Sequence, residues 1–365
     1  MPTFREDIAA LTAYEVGRPI AEVAREHGID PSRVVKLTSN ESPEGPFPGA
    51  VEAAAQAMTR SNRYPDPDVW ELAHRLADEL AVDYVNLLFG AGSVALLSEI
   101  ANAVGGPGTT SVYAWPGFVM YRFVSKWAMT RPVEVPLDED FELDLERMAA
   151  TVDETTRVVY LCNPNNPTGT IRGADEIERF VDGLPESVLV AIDEAYHHFV
   201  TDERYRTAIP LALERPNVVV LRTFSKIYSL AAQRIGYAVG QHATLREIRK
   251  AQAPLTVNQV AQAAALASLG QPEEIRRRRD ANGAARRFIE ASLSERGLEH
   301  PRSHTNFVYF KMSRTDSRSM AGEFVHRGVI IRPMSSGWMR VTVGSEEENK
   351  RFVEALDEVL AVTVG

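Results

Sequence analysis

Leu221 to Tyr237 reads L-R-T-F-S-K-I-Y-S-L-A-A-Q-R-I-G-Y, and the run Val218-Val219-Val220 leads into it. The apolar run predicts a buried strand. It breaks at Thr223 and Ser225, and Lys226 follows at the strand end. With six lysines against thirty-four arginines in the chain, a lysine at this point is conspicuous. Arg234 comes eight residues later and opens a second short apolar strand, Ile235 to Val239. An amine flanked by hydroxyls and followed by a guanidinium can hold an aldehyde cofactor that carries a phosphate. A surface lysine at the start of a loop is the plain alternative.

Upstream, the same kind of junction recurs. Leu87-Leu88-Phe89 runs into Gly90-Ala91-Gly92-Ser93 and then into a helical pattern from Val94 to Val104. A glycine turn opening into a helix presents free N–H groups to an anion. Thr110 to Tyr113 ends in A-W-P-G-F-V-M-Y, where Phe118 could stack on a planar ring. Arg157 to Leu161 ends in C-N-P-N-N-P-T-G, a rigid loop that aims an amide, with Asn-Pro bonds that can be cis. Ser187 to Ile192 ends in D-E-A-Y, so Asp193 closes a buried strand, and a carboxylate there is costly unless it meets a cation. Fully apolar strands alternating with helices from about 87 to 240 predict an α/β protein whose mostly parallel sheet is covered on both faces. In such sheets ligands bind beyond the carboxyl ends of the strands. Gly92 with Ser93, Asn166, Asp193 and Lys226 therefore converge on one edge.

Outside this region, residues 1–35 read as an N-terminal arm with Tyr14 in a turn. Two long polar loops contain Asn40 (T-S-N-E-S-P) and Tyr64 (N-R-Y-P). The Ala-rich pattern at 257–269 predicts a tightly packed helix, and a long helix from about 272 to 296 leads to a smaller domain. There 304–310 reads as a strand, and Arg332 and Arg340 lie in or beside apolar strands, where an arginine usually faces an anion. The expected division is an arm with part of the small domain at 1–35, a large domain at 36–270 and a small domain at 271–365.

Composition narrows the class. The 365 residues are 44% hydrophobic and 25% charged, as in ordinary globular proteins. A net charge of −10, with no basic block longer than Arg276 to Arg279, argues against nucleic acid as a partner. Cys162 is the single cysteine, so neither a disulfide framework nor a thiolate metal site is expected, and no metal is assigned. The first residues lack a signal-peptide core, and no apolar run is of membrane-spanning length, so a cytoplasmic enzyme is expected.

With these motifs in hand, the chain resembles the fold-type I pyridoxal-phosphate aminotransferases, in the branch that handles histidinol phosphate and aromatic amino acids. N-P-N-N-P-T-G, D-E-A-Y, R-T-F-S-K and Arg234 match in order and spacing, and the likeness runs from about residue 11 to 344. It implies an aspartate-aminotransferase-like architecture with a smaller α+β domain, and pyridoxal 5'-phosphate as cofactor. Lys226 would bind the aldehyde and later carry the proton. Asp193 would pair with the ring nitrogen, Tyr196 and Asn166 with the ring hydroxyl, and Phe118 would stack on the ring. Gly92, Ser93, Thr223, Ser225 and Arg234 would hold the phosphate, joined by Tyr64 from the other subunit of a homodimer. Tyr14, Asn40, Arg332 and Arg340 would bind substrate.

The reaction implied is transfer of an amino group from phenylalanine, tyrosine or L-histidinol phosphate to 2-oxoglutarate. A decarboxylase or an oxidase using the same cofactor is the alternative. The chain departs from the common pattern at Ser42, at Ser229, Ala232 and Gln233, which replace two glycines and a leucine, and at Leu255, where an aromatic commonly follows the proline. These departures spare the expected cofactor ligands and tip the donor towards an aromatic amino acid.

Overall fold

The structure is a computed structural model that describes residues 2–14, 17, 19–312 and 316–363. Its described residues form two compact units, one of 2–11, 46–166 and 170–275, the other of 12–45, 167–169 and 276–363.

Eleven strands are present among the described residues. They are β1 (Val35–Leu37), β2 (Leu87–Gly90), β3 (Thr110–Trp115), β4 (Arg131–Pro136), β5 (Thr156–Cys162), β6 (Leu189–Asp193), β7 (Val218–Thr223), β8 (Gly236–Gly240), β9 (Phe307–Lys311), β10 (Val329–Pro333) and β11 (Trp338–Thr342). The first unit holds a seven-stranded sheet in the order β2-β8-β7-β6-β5-β3-β4. From β7 to β4 every neighbouring pair is parallel, while β8 runs antiparallel to both β7 and β2. Consequently β2, β3, β5, β6 and β7 all point their carboxyl ends to the same edge. Every residue of β6 and β7 is buried, which explains why these strands read as continuous apolar runs rather than alternating ones.

Helices cover the sheet with amphipathic faces. Met120–Trp127 buries Tyr121, Phe123 and Val124, and Ser93–Val104 buries Leu96, Leu97 and Ile100. The Ala-rich helix Gln259–Ser268 packs on Ala50–Met58, itself Ala-rich, and small side chains on both allow close approach. No helix of the described residues is long and apolar enough to cross a membrane.

In the second unit the strand order is β1-β10-β11-β9. Its core joins Val308, Phe310, Met339 and Val341 to Ile289, Phe324 and Phe352 of the covering helices. The strand read over 304–310 begins only at Phe307. Hydroxyls explain the delay: Ser303 Oγ accepts from the Thr305 N–H at 3.2 Å and donates to the Phe307 carbonyl at 2.6 Å, so the chain turns locally before it enters the ladder.

One charged pair lies inside the first unit. Arg222, within β7, donates through Nε and Nη2 to Glu194 Oε2 at 3.0 and 2.8 Å. Thr207 Oγ1 donates to the same oxygen at 2.9 Å, and the Ala208 N–H donates to Oε1 at 2.7 Å. Both residues are buried, so each charge depends on the other. Arg222→Met should therefore lower unfolding stability by about 3–5 kcal/mol. The double variant Arg222→Met/Glu194→Gln should recover more than half of that loss, because the amide oxygen still accepts from Ala208. A urea-unfolding shift under about 1 kcal/mol for the single variant would show that the pair is not structural.

Candidate active site

Asp193 is the last residue of β6 and is 2% exposed. Its Oδ1 accepts the Ala195 N–H at 3.1 Å and its Oδ2 accepts the Tyr121 hydroxyl at 3.2 Å. Burial pushes this carboxyl up to about 6, against the pull of the Ala195 and Tyr121 donors and of the nearby Lys226 charge. A carboxylate so placed is poised to take a cationic N–H as a further partner.

Lys226 lies just beyond β7, the neighbour of β6. Its Nζ stands 5.6 Å from the centre of the Tyr196 ring. The carbonyl of Lys226 accepts the Ser229 N–H at 3.0 Å, closing a turn in which Ser229 has a left-handed φ of 57°. The backbone thus keeps the glycine-type conformation although the side chain has changed. Beyond β5, Asn166 Nδ2 reaches the Tyr196 hydroxyl at 3.5 Å, the outer limit of a hydrogen bond. The Asn163–Pro164 and Trp115–Pro116 peptide bonds are cis in the two loops that follow β5 and β3. Phe118, after β3, packs edge-on to Tyr121 at 5.6 Å.

A cradle for an anion forms where β2, β7 and β8 meet. Gly92, with φ 83°, precedes the first turn of the helix Ser93–Val104. A Cβ at Gly92 would fall 2.5 Å from Arg234 Nη2, and one at Gly236 would fall 2.8 Å from the Ser93 amide nitrogen. Only glycines let the guanidinium and the helix start come this close. Arg234 is itself held in the left-handed region at φ 56°, and its Nη1 donates to the Ala231 carbonyl at 2.9 Å. The hydroxyls of Thr223 and Ser225 lie 2.9 Å apart and are buried beside this turn. A helix N-terminus, a guanidinium and hydroxyls are the donor set that suits a phosphate.

Ten of the residues singled out in the sequence therefore stand along one sheet edge of the first unit: Gly92, Ser93, Phe118, Asn166, Asp193, Tyr196, Thr223, Ser225, Lys226 and Arg234. Tyr64 belongs to the same unit and is 85% exposed on its loop. The other four lie in the second unit. Arg332 and Arg340 are register partners across β10 and β11, so their side chains leave the same face of that sheet. Arg340 is buried, with Nη2 donating to the Thr38 carbonyl at 2.7 Å and Cζ 5.2 Å from the Phe307 ring centre. Arg332 Cζ lies 5.3 Å from the Tyr14 ring centre. Asn40, with φ 54°, donates its N–H to Thr342 Oγ1 at 2.9 Å and accepts the Asn306 amide on its carbonyl at 3.1 Å.

Sequence reading missed Tyr121 and the Arg222–Glu194 pair. The pair had a signal, an arginine inside the apolar run V-V-V-L-R-T, the same signal that drew attention to Arg332 and Arg340. Tyr121 had none, because its role depends on which face of the helix meets β6.

The model of the family aminotransferase class I and II matches residues 32–356. The chain is 38% identical over 361 residues to the histidinol-phosphate aminotransferase of Caldicellulosiruptor saccharolyticus, covering 98% of this chain and 100% of that one. It is 40% identical over 352 residues to the aromatic amino acid aminotransferase of Thermobifida fusca, covering 96% of each. Among solved structures, the histidinol-phosphate aminotransferase from Sinorhizobium meliloti in complex with pyridoxal-5'-phosphate superposes with a TM-score of 0.90 at 29% identity, covering 100% of this chain and 99% of that one. With its sheet topology and the residues along its edge, the chain belongs to the aminotransferase class I and II family and is a fold-type I, pyridoxal-phosphate-dependent aminotransferase.

Proposed function

We propose that this enzyme moves an amino group from an aromatic amino acid, phenylalanine or tyrosine, to 2-oxoglutarate. The observation that supports the site assignment is the spacing of three features along one edge: buried Asp193 after β6, Lys226 after β7, and the glycine-and-arginine cradle where β7, β8 and β2 meet. The residues present fit pyridoxal 5'-phosphate, because the cradle supplies phosphate donors and Asp193 supplies a buried carboxylate for a ring N–H.

When bound, the cofactor supplies an electron sink that allows the donor's Cα–H bond to break. The protein's part is to hold and to move protons. Asp193 would keep a proton on the ring nitrogen. Tyr196 and Asn166 would bind the ring hydroxyl, and Phe118 would cover one ring face. Gly92, Ser93, Thr223, Ser225 and Arg234 would hold the phosphate. Lys226 would hold the aldehyde and, as a free amine, would carry the proton from the donor's α-carbon. Arg340, with Arg332 opposite it, binds the donor's anionic group. Tyr14 and Asn40 complete the substrate side.

Histidinol phosphate is the second candidate donor, favoured by that same pair of arginines and by the Caldicellulosiruptor relative. The aromatic donor is preferred on the loop departures at Ser42, Ser229, Ala232, Gln233 and Leu255 taken together. Leu255 has a left-handed φ of 60° and is exposed. We also propose a homodimer in which Tyr64 serves the neighbouring subunit. Exposed Val51, Met58, Tyr64 and Trp70 along one stretch of the first unit support such a contact.

Lys226→Ala should lower transamination by about 10²–10⁴-fold or more. In half-reactions of the native enzyme, L-phenylalanine should yield its keto acid and L-histidinol phosphate should react more slowly, with 2-oxoglutarate then restoring the starting cofactor. Faster conversion of histidinol phosphate would reverse the donor assignment. Arg340→Met should raise the donor KM by about 10–100-fold, the worth of a hydrogen bond to a charged group, with a smaller change in kcat. An unchanged KM would remove Arg340 from the site. Finally, inactive Lys226→Ala mixed with impaired Tyr64→Ala should regain activity through hybrid dimers, each with one site carrying both native residues. Failure of the mixture to exceed its parents would place Tyr64 in its own subunit's site or in none.

A further inference from the structure

We infer that Tyr121 is a positioning residue, whose hydroxyl orients the Asp193 carboxylate and holds it ionised for the cofactor's ring nitrogen. The inference rests on the reading that Asp193 faces that nitrogen. It begins from the two donors on Asp193: the Ala195 N–H on Oδ1 at 3.1 Å and the Tyr121 hydroxyl on Oδ2 at 3.2 Å. The first belongs to the backbone turn that follows β6 and moves with Asp193. The second is a side-chain hydroxyl and comes from another element, the helix Met120–Trp127.

Tyr121 is held so that its hydroxyl has little freedom. Its ring lies parallel to that of Tyr160 on β5, 4.9 Å between centres and 4° between planes. Phe118 meets it edge-on at 5.6 Å and Tyr113 tilts against it at 5.7 Å. Stacked aromatic contacts of this kind fix ring orientation. The ring is fully buried, and burial with the neighbouring Asp193 charge keeps the phenol protonated and therefore a donor. The Tyr160 hydroxyl, one ring away, is buried without a hydrogen-bond partner, so it is the stack and not a second polar link that ties Tyr160 to the site.

Other groups facing Asp193 set the balance that Tyr121 tips. Burial and Glu194 disfavour its charge, while Ala195, Tyr121 and Lys226 favour it. Cys162 on β5 and Tyr205 both feel its charge, and both are kept protonated by burial. Burial pushes the carboxyl up to about 6 in the cofactor-free chain, and loss of the Tyr121 donor would raise it further. A carboxyl that is raised in this way charges as pH rises through about 6 and is lost as an anion below it.

The test uses cofactor-free protein and pyridoxamine 5'-phosphate, which binds without joining Lys226, with affinity measured across about pH 5.5 to 8.5. In the native protein, affinity should fall on acidification through about 6. Tyr121→Phe keeps the stack and removes the hydroxyl. Its acid limb should move up by about one pH unit, with affinity near neutrality reduced about three- to tenfold. Tyr160→Phe removes the unpartnered hydroxyl and should leave the curve in place. Asp193→Asn should bind weakly and keep only the limb of the ligand's own phosphate, whose second ionisation lies at about 6 and is common to all variants, which separates Asp193 from Glu99, a second buried carboxyl pushed up to about 7 in the same unit.

A Tyr121→Phe curve that matches the native one, or falls by one factor at every pH, would overturn the role of Tyr121 while leaving that of Asp193 intact. An Asp193→Asn protein with native affinity and limb would instead overturn the reading of Asp193, and this inference with it. Circular dichroism checks folding, and Tyr121→Leu repeats the titration if the first variant does not fold.

Discussion

A carboxylate buried at the end of a central parallel strand is the constraint on which the first unit is organised. Asp193 is surrounded by β5, β7 and the helix Met120–Trp127, and burial raises it to about 6 despite two donors and a nearby lysine. Such a group is expensive to keep without a cation. Structural needs alone would be met by an apolar residue, as they are through the rest of β6. The charge persists at the one position where the sheet edge opens, next to Lys226. The neighbouring Glu194 shows the contrast: it too is buried, but Arg222, Thr207 and Ala208 satisfy it fully. One acid of the D-E pair is closed within the protein and the other is left with capacity for a ligand.

Close approach is the second constraint, and it is made by backbone rather than by side chains. Gly92 and Gly236 leave room for Arg234 and for the Ser93 amide, and any Cβ would collide at 2.5 and 2.8 Å. Arg234 accepts a left-handed backbone to reach this position. A bulky residue held there costs roughly 1–2 kcal/mol, so the surrounding turn must enforce it. Strain and glycine thus meet at the same few residues, at the start of a helix whose free N–H groups point to the cradle.

Much of this was legible in the sequence because parallel strands buried on both faces betray themselves as unbroken apolar runs. Once β5, β6 and β7 are read, the residues that follow them must share an edge, and Asn166, Asp193 and Lys226 do. Tyr121 was not legible, since nothing in M-Y-R-F-V-S-K-W tells which turn of the helix will face Asp193. The Arg222–Glu194 pair was half legible: an arginine in an apolar strand announces a partner but not its identity. The late start of the 304–310 strand escaped because hydroxyl-to-backbone bonds from Ser303 compete with the ladder, a local choice that periodicity does not reveal.

The departures from the common pattern gain meaning from backbone geometry. Ser229 stands where glycine is common and keeps a φ of 57°, so the turn that carries Lys226 is preserved at the cost of a strained serine. Leu255 is likewise left-handed at 60°. Both loops therefore retain a defined path while the side chains they present have changed. Ala232 and Gln233 fall in the short 3-10 helix Ala231–Gln233, immediately before Arg234, whose guanidinium lies against Gly92. The cradle keeps its close approach of Arg234 to Gly92 beside these loops. Under the proposed assignment this separates chemistry from selection: residues that would hold a phosphate and a ring depend on backbone placement, whereas those that would meet a donor's side chain can differ on a fixed loop. Ser229, Leu255 and the paired arginines of β10 and β11 are therefore the positions where specificity would be set under that assignment.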